Sequence, residues 1–161
     1  AVLFSPVVVA ASFIVGGLVI LLVDRGARRV TIDSTETMPL RTALYVGLFQ
    51  CLAMIPGTSR SGATIIGGLL LGMRREAATE FSFFLAIPTM IGAATLDLWK
   101  SRGAIGREEL GLIAIGFVVA FLSALFVVRG LVGFVSRHGF APFAWYRIAA
   151  GLALLAWLAL R

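Results

Sequence analysis

Serine, threonine, arginine and glycine residues cluster in one short stretch of an otherwise apolar sequence. The stretch comprises Gly57, Thr58, Ser59, Arg60, Ser61, Gly62, Ala63 and Thr64. An arginine presents a planar, permanently charged fork that matches phosphate oxygens two at a time. The neighbouring hydroxyls add hydrogen-bond donors, and glycines let a bulky oxyanion approach the backbone closely. The stretch therefore predicts an oxyanion site, with phosphate as the expected ligand and Arg60 as its clamp.

The backbone on both sides of Arg60 is expected to be helical. Pro56 and Gly57 should end an incoming helix, because proline removes a backbone donor and glycine relaxes the backbone. Apolar residues resume after Gly62, where a second helix is expected to start and to offer its unpaired N–H groups to an anion. The plain alternative is an ordinary turn whose arginine reaches a lipid headgroup. Apolar flanks make a buried arginine costly without a purpose, which favours the anion site.

The composition places these helices in a membrane. The 161 residues are 60% hydrophobic and only 14% charged, and the apolar residues form long uncharged runs. This pattern predicts an all-α fold, a polytopic membrane helix bundle. The net charge of +6 comes from basic residues scattered between the apolar runs, which is typical of topological charges rather than of nucleic-acid binding. One cysteine, Cys51, excludes an internal disulfide.

The chain forms a single membrane domain, 1–161, with four segments of spanning length. The predicted spans are about 3–23, 77–98, 110–128 and 140–160. Two shorter arms, 42–55 and 62–73, flank the polar loop and are each too short to cross a bilayer of ~30 Å at ~1.5 Å per residue. They form either one broken span or a re-entrant pair, and the distribution of basic residues slightly favours the re-entrant pair. Trp145, Tyr146 and Arg147 are interpreted as an interface group.

The run from Pro56 to Thr64 resembles the signature of the bacterial undecaprenyl-diphosphate phosphatases, also called bacitracin-resistance proteins. The resemblance extends upstream through 47–50 and downstream through 71–75, 80–83 and 87–88. It implies an integral phosphatase of the bacterial plasma (inner) membrane. Such an enzyme hydrolyses a long-chain polyprenyl diphosphate to the monophosphate and inorganic phosphate, which recycles the lipid carrier for cell-wall polymers and gives resistance to bacitracin.

The resemblance also implies roles for individual residues. Arg60 is expected to clamp the diphosphate, and Ser59 is an outside candidate for the nucleophile. The expected substrate-binding residues are Gly57, Thr58, Ser61, Gly62 and Thr64. Gln50 and Glu80 are candidates for support, although Glu80 is rather expected to pair with Arg74 or Arg75 near the interface. The only histidine, His138, is expected in a solvated polar turn.

Part of the family pattern has no counterpart here. The family carries a first-half loop with a glutamate pair, a serine cluster and a histidine, whereas this sequence starts at Ala1 without a methionine. We therefore interpret it as the C-terminal part of a longer protein and expect it to be inactive alone. The nucleophile or base is expected on the missing half, and the resemblance leaves room there for a divalent cation, Mg²⁺ or Ca²⁺; no metal cluster is visible in this sequence. The expected partners are polyprenyl diphosphate, the bilayer and the missing half, not nucleic acid, and homo-oligomers stay open.

A membrane transporter or flippase that binds a phosphorylated lipid or anion without hydrolysis is the alternative. Broken half-helices that bind anions near the midplane are also a transporter design. Release of inorganic phosphate would separate the two functions. A phosphatase of the type-2 phosphatidic acid kind needs histidines near its serine and arginine elements, and His138 alone cannot supply them.

Overall fold

The computed structural model describes residues 5–26, 29–102 and 106–160, apart from the side chains of residues 107–109. Within these ranges the chain contains six α-helices and no β-strand. The helices are α1 (Pro6–Arg25), α2 (Leu40–Gln50), α3 (Arg60–Leu70), α4 (Arg75–Ser101), α5 (Arg107–His138) and α6 (Ala141–Ala159). Helices α1, α4, α5 and α6 are long and apolar enough to cross a membrane. The predicted all-α polytopic membrane bundle is therefore confirmed.

Helix α5 continues well beyond the predicted span at 110–128. Apolar residues recur after that span, and Val135 is buried in a core cluster with residues of α1 and α6. Gly139 ends the helix with a φ of 67° and donates its N–H to the Val135 carbonyl at 2.9 Å. His138 is thus the last residue of a helix, with its ring stacked on Phe134 at 4.5 Å between centroids. The expected polar turn at His138 was wrong, because the apolar pattern that buries Val135 keeps the backbone helical.

Helices α1 and α6 pack along each other in opposite directions, through small residues. Gly17 and Gly151 are both buried at this seam. A Cβ added at Gly151 would lie 2.7 Å from Cγ1 of Ile14, and one at Gly17 would lie 2.8 Å from the Ala144 carbonyl oxygen. Close approach through small residues is the usual way in which membrane helices associate. The seam brings the first half of α6 against the middle of α1.

Helices α2 and α3 form the two arms on either side of the polar loop, with a short 3₁₀ turn, Cys51–Met54, at the end of α2. The segment before α2 meets the segment after α3, since the Ile32 N–H donates to the Gly72 carbonyl at 3.1 Å and the Arg74 N–H donates to the Ile32 carbonyl at 2.9 Å. The arms therefore run out and back, with the loop at their far end. Which residues of these two arms lie within the lipid bilayer stays a prediction.

Candidate functional site

The polar loop has the backbone conformation that an anion site at a helix start requires. Gly57 has a φ of 85°, a left-handed conformation that glycine adopts without strain. The Ser59 hydroxyl caps α3 by accepting a hydrogen bond from the Gly62 N–H at 3.1 Å. The N–H groups of Arg60 and Ser61 have no hydrogen-bond partner in the described part of the chain. Two free donors and the positive end of the α3 dipole thus lie at the loop.

Arg60 is half-buried at the first position of α3 and is held from the opposite arm. Its Nη1 donates to Oε1 of Gln50, the last residue of α2, at 3.3 Å. No carboxylate pairs with Arg60 among the described residues. The guanidinium is therefore oriented by a neutral amide and keeps its full charge for a ligand. This contact gives Gln50 a physical means of supporting Arg60, as the resemblance suggests.

Ser59 and Ser61 lie on either side of Arg60, with their hydroxyl oxygens 3.3 Å apart. Among the described residues neither hydroxyl contacts a carboxylate or an imidazole. A serine nucleophile needs an adjacent general base. The geometry of this chain therefore makes the pair a set of oxygen and hydrogen-bonding groups for a ligand, and the nucleophilic role of Ser59 stays a prediction.

Thr64 is fully buried and faces α4 rather than a cavity. Its hydroxyl lies 2.7 Å from the Ser82 hydroxyl and donates toward the carbonyls of Arg60 and Ser61 at 3.2 and 3.0 Å. A hydroxyl with these partners fixes the first turn of α3 against α4. Thr64 is thus located where it positions Arg60, although the sequence predicted that it would contact substrate.

A cavity of about 340 Å³ lies beside the start of α3. Its polar lining residues include Ser59, Arg60, Ser61, Ser82 and Arg147. The walls are mostly apolar, with Ile65, Ile66 and Leu69 from α3, Leu131 and Val135 from α5, and Phe140 and Phe143 at the start of α6. A cavity with this division suits an anionic head joined to an apolar chain.

The remaining predicted residues lie outside this cavity. Gly57 packs on α1, because an added Cβ would lie 2.7 Å from the Val9 carbonyl oxygen. Thr58 lines a neighbouring cavity of about 450 Å³ between the loop and α1. Glu80 is exposed and lines neither cavity.

The expected pairing of Glu80 with Arg74 or Arg75 was wrong. Arg74 pairs with Asp33 at 2.8 Å, and the Arg75 Nε pairs with Asp24 at 2.7 Å. Asp24 lies at the end of α1 and Asp33 in the connector that follows, and both come close to the start of α4. These carboxylates take the positions at the arginines that were predicted for Glu80.

Arg147, which the sequence predicted at the membrane interface, lies in contact with the loop. Its Nη2 donates to the Gly57 carbonyl at 2.9 Å and toward the Ser12 carbonyl at 3.3 Å. Its guanidinium carbon lies 4.8 Å from the centroid of the Phe13 ring. The signal that would have found this residue is the one used for Arg60, an arginine within a segment of otherwise apolar sequence.

The described residues contain no group of three or more His, Cys, Asp or Glu side chains that would hold a metal ion. The fold and the cavity together define a polytopic membrane protein with a cavity beside a helix start within the bundle. The chain belongs to the family of bacitracin resistance protein BacA, whose pattern matches residues 1–153.

Curated relatives extend beyond this chain. An undecaprenyl-diphosphatase of Rhizorhabdus wittichii is 58% identical over 161 residues, which are 100% of this chain and 60% of that protein. Undecaprenyl-diphosphatase 2 of Rhodospirillum rubrum is 59% identical over 154 residues, which are 96% of this chain and 56% of that protein. The chain thus spans less than two thirds of the length of these relatives.

Proposed function

We propose that the complete protein is a membrane phosphatase that hydrolyses undecaprenyl diphosphate to the monophosphate and inorganic phosphate. The family match and the names of the curated relatives support this activity. The observation in the structure that carries it is Arg60, an arginine without a carboxylate partner among the described residues, at a helix start that lines a cavity with apolar walls. Such a site provides positive charge for phosphates and a surface for the adjoining prenyl chain.

Hydrolysis of the diphosphate places two requirements on this part of the protein, charge neutralisation and alignment of the reacting oxygens. Hydrolysis of a diphosphate requires that the negative charge on the transferred phosphoryl group be neutralised and that the attacking and leaving oxygens be aligned. Arg60, held by Gln50, binds two phosphate oxygens with its fork. The hydroxyls of Ser59 and Ser61 and the free amides at the start of α3 fix the remaining oxygens. The leaving group is the prenyl monophosphate, whose first isoprene units lie against the apolar walls.

The nucleophile or general base is assigned to the first-half loop of the family pattern, with its glutamate pair, serine cluster and histidine. A divalent cation, Mg²⁺ or Ca²⁺, enters the proposal only through those glutamates, because the described residues of this chain form no metal site. No step carried out by Arg60 or its neighbours depends on that ion.

The proposed setting is the bacterial plasma membrane. Hydrolysis there returns the lipid carrier of cell-wall polymers to its monophosphate form. Bacitracin resistance follows, because a higher level of the enzyme lowers the amount of lipid diphosphate.

The deciding experiment measures both products of the reaction. The complete protein, purified in detergent, is incubated with undecaprenyl diphosphate, and released phosphate and the remaining lipid are quantified. We expect one phosphate and one lipid monophosphate per substrate consumed, no release by the Arg60→Ala variant, and normal release by Arg137→Gln, an exposed arginine of α5. Recovery of intact diphosphate bound to the protein would replace hydrolysis with the transporter or flippase function.

A second arm of the experiment uses the 161-residue chain by itself. We expect no phosphate release from it, because the residues assigned to the nucleophile lie outside it. Robust release by this chain would move the nucleophile onto its own residues, with Ser59 first among them.

A further inference from the structure

Arg147 lies deep along α6 rather than at its beginning. The N–H of Phe140, directly before α6, donates to Oδ2 of Asp24 at the end of α1. Arg147 follows seven residues later, roughly 10 Å further along the helix at ~1.5 Å per residue. It faces the middle of α1, where its Nη2 contacts the Ser12 carbonyl. The guanidinium thus lies half-buried between α1, α6 and the loop, where a charge costs free energy unless it is paired.

The positive charge of Arg147 has no counter-charge among the residues that the structure describes. Its Nε is buried without a hydrogen-bond partner, and the partners of its Nη2 are the neutral carbonyls of Ser12 and Gly57. No carboxylate pairs with it among the described residues. A buried charge that the protein leaves uncompensated is stabilised when an ion of opposite sign binds beside it.

Arg147 and Arg60 line the same cavity, one from α6 and the other from α3. The residues that line this cavity include two arginines and no acidic side chain. The hydrogen bond from Arg147 to the Gly57 carbonyl also attaches the loop before Arg60 to α6. Two cationic residues that line one cavity match a ligand that carries two adjacent phosphates better than a ligand that carries one.

We propose that Arg147 is the second cationic residue of the site and sets its preference for a prenyl diphosphate over a prenyl monophosphate. This inference rests on the proposed function, since it concerns the same cavity. Arg60 binds one phosphate through its fork. The charge of Arg147 stabilises the additional negative charge of the second phosphate. When only a monophosphate remains, that additional charge is gone, and Arg147 contributes less to binding of the ligand. Arg147 thereby favours substrate binding over retention of the lipid product.

The test measures binding without hydrolysis. The complete protein is titrated with the methylene-bridged diphosphonate analogue of farnesyl diphosphate and, separately, with farnesyl monophosphate. In Arg147→Gln, which removes the charge but keeps a hydrogen-bond donor, we expect the diphosphonate to bind about tenfold more weakly and the monophosphate to change less than about threefold. The preference for the diphosphonate should therefore fall by about threefold or more. Arg147→Lys keeps the charge and should keep most of the preference, and Arg137→Gln should match the unmodified protein.

A merely structural Arg147 gives a different pattern. If Arg147 only held the loop in place, Arg147→Gln would weaken the binding of both ligands by the same factor, and that result would overturn the inference. Unchanged binding of the diphosphonate overturns it as well. Because neither ligand needs to be cleaved, a protein that releases no phosphate but shows the expected shift contradicts the proposed function and leaves the role of Arg147 standing.

A second variant keeps the inference testable if Arg147→Gln does not fold. In Arg60→Gln the site retains Arg147 as its remaining cation. We expect both ligands to bind more weakly there, with a residual preference of about threefold or more for the diphosphonate. Equal affinities for the two ligands in Arg60→Gln would show that Arg147 contributes no charge to the site.

Discussion

Two groups of arginines in this protein lie in opposite electrostatic surroundings. Arg75, at the start of α4, donates to the carboxylate of Asp24, whose side chain is only 6% exposed and also accepts the Phe140 N–H at 2.9 Å. Arg60 and Arg147 line a cavity and contact neutral amide and carbonyl groups. The arginine that joins helices is neutralised, and the arginines that face the cavity are not. Among these three arginines of the described chain, a carboxylate contacts only Arg75, and we expect the two that line the cavity to serve in binding.

The largest expected effect is at the uncompensated group. Arg60→Lys keeps a positive charge but loses the two-pronged fork. We expect kcat/KM for undecaprenyl diphosphate in the complete protein to fall about 100-fold, the size of effect seen when one oxyanion donor is removed. The thermal unfolding temperature should stay the same, because without substrate the side chain of Arg60 donates only a hydrogen bond to Gln50. Near-normal turnover by this variant would contradict the clamp.

The neutralised group should behave in the opposite way. Asp24→Asn leaves Arg75 without its carboxylate while an amide oxygen remains near the Phe140 N–H. Breaking a fully buried pair costs about 3–5 kcal/mol, and since the Arg75 side chain is 42% exposed we expect about 2 kcal/mol in the free energy of unfolding. The free energy of unfolding is measured in a detergent titration. The kcat of the folded fraction is measured as well, and we expect it to be unchanged.

A matched control for that prediction lies at the next arginine. Asp33→Asn breaks the pair with Arg74, in which the two side chains are 70% and 55% exposed. Exposed pairs contribute less than about 1 kcal/mol, so the unfolding free energy should barely move. Equal losses in the Asp24 and Asp33 variants would show that the burial of Asp24 contributes nothing, and the distinction between the two groups of arginines would lose its basis.

The sequence predicted the parts of this protein that are local. The helix break at Pro56 and Gly57 and the exceptional position of Arg60 follow from residues within one short stretch, although the second helix starts at Arg60, two residues before the predicted start at Gly62. The four long apolar helices follow from hydropathy over a window as long as a bilayer is thick. In each case the physical cause acts between near neighbours, so the sequence alone contains the information.

The pairings that the sequence did not predict join residues far apart in the chain. Asp24 and Arg75 are 51 residues apart, and Gly57 and Arg147 are 90 apart. The periodicity of apolar residues and the count of charges do not identify such partners, because the packing of the helices determines which side chains come into contact. The prediction for Glu80 instead paired it with near neighbours in the chain, whereas the partners of Arg74 and Arg75 are Asp33 in the connector and Asp24 at the end of α1.

Thr64 belongs to neither group of arginines, and its replacement is expected to cost less stability than that of Asp24. Its hydroxyl meets the Ser82 hydroxyl at 2.7 Å in a fully buried position. Thr64→Val keeps the shape and removes the hydroxyl, which leaves Ser82 with an unpaired polar group and should cost about 1–2 kcal/mol of unfolding free energy. Thr64→Ser keeps the hydroxyl and should recover most of that loss.

Kinetics separate the two possible roles of Thr64. If its hydroxyl only positions the first turn of α3, KM for undecaprenyl diphosphate in Thr64→Val should rise less than about threefold, well below the effect of removing a charge-assisted hydrogen bond. A rise of tenfold or more without a matching loss of stability would mean that the hydroxyl turns toward the ligand when substrate binds. Thr64 would then belong with Arg60 as a binding residue, and the first turn of α3 would rearrange as the cavity fills.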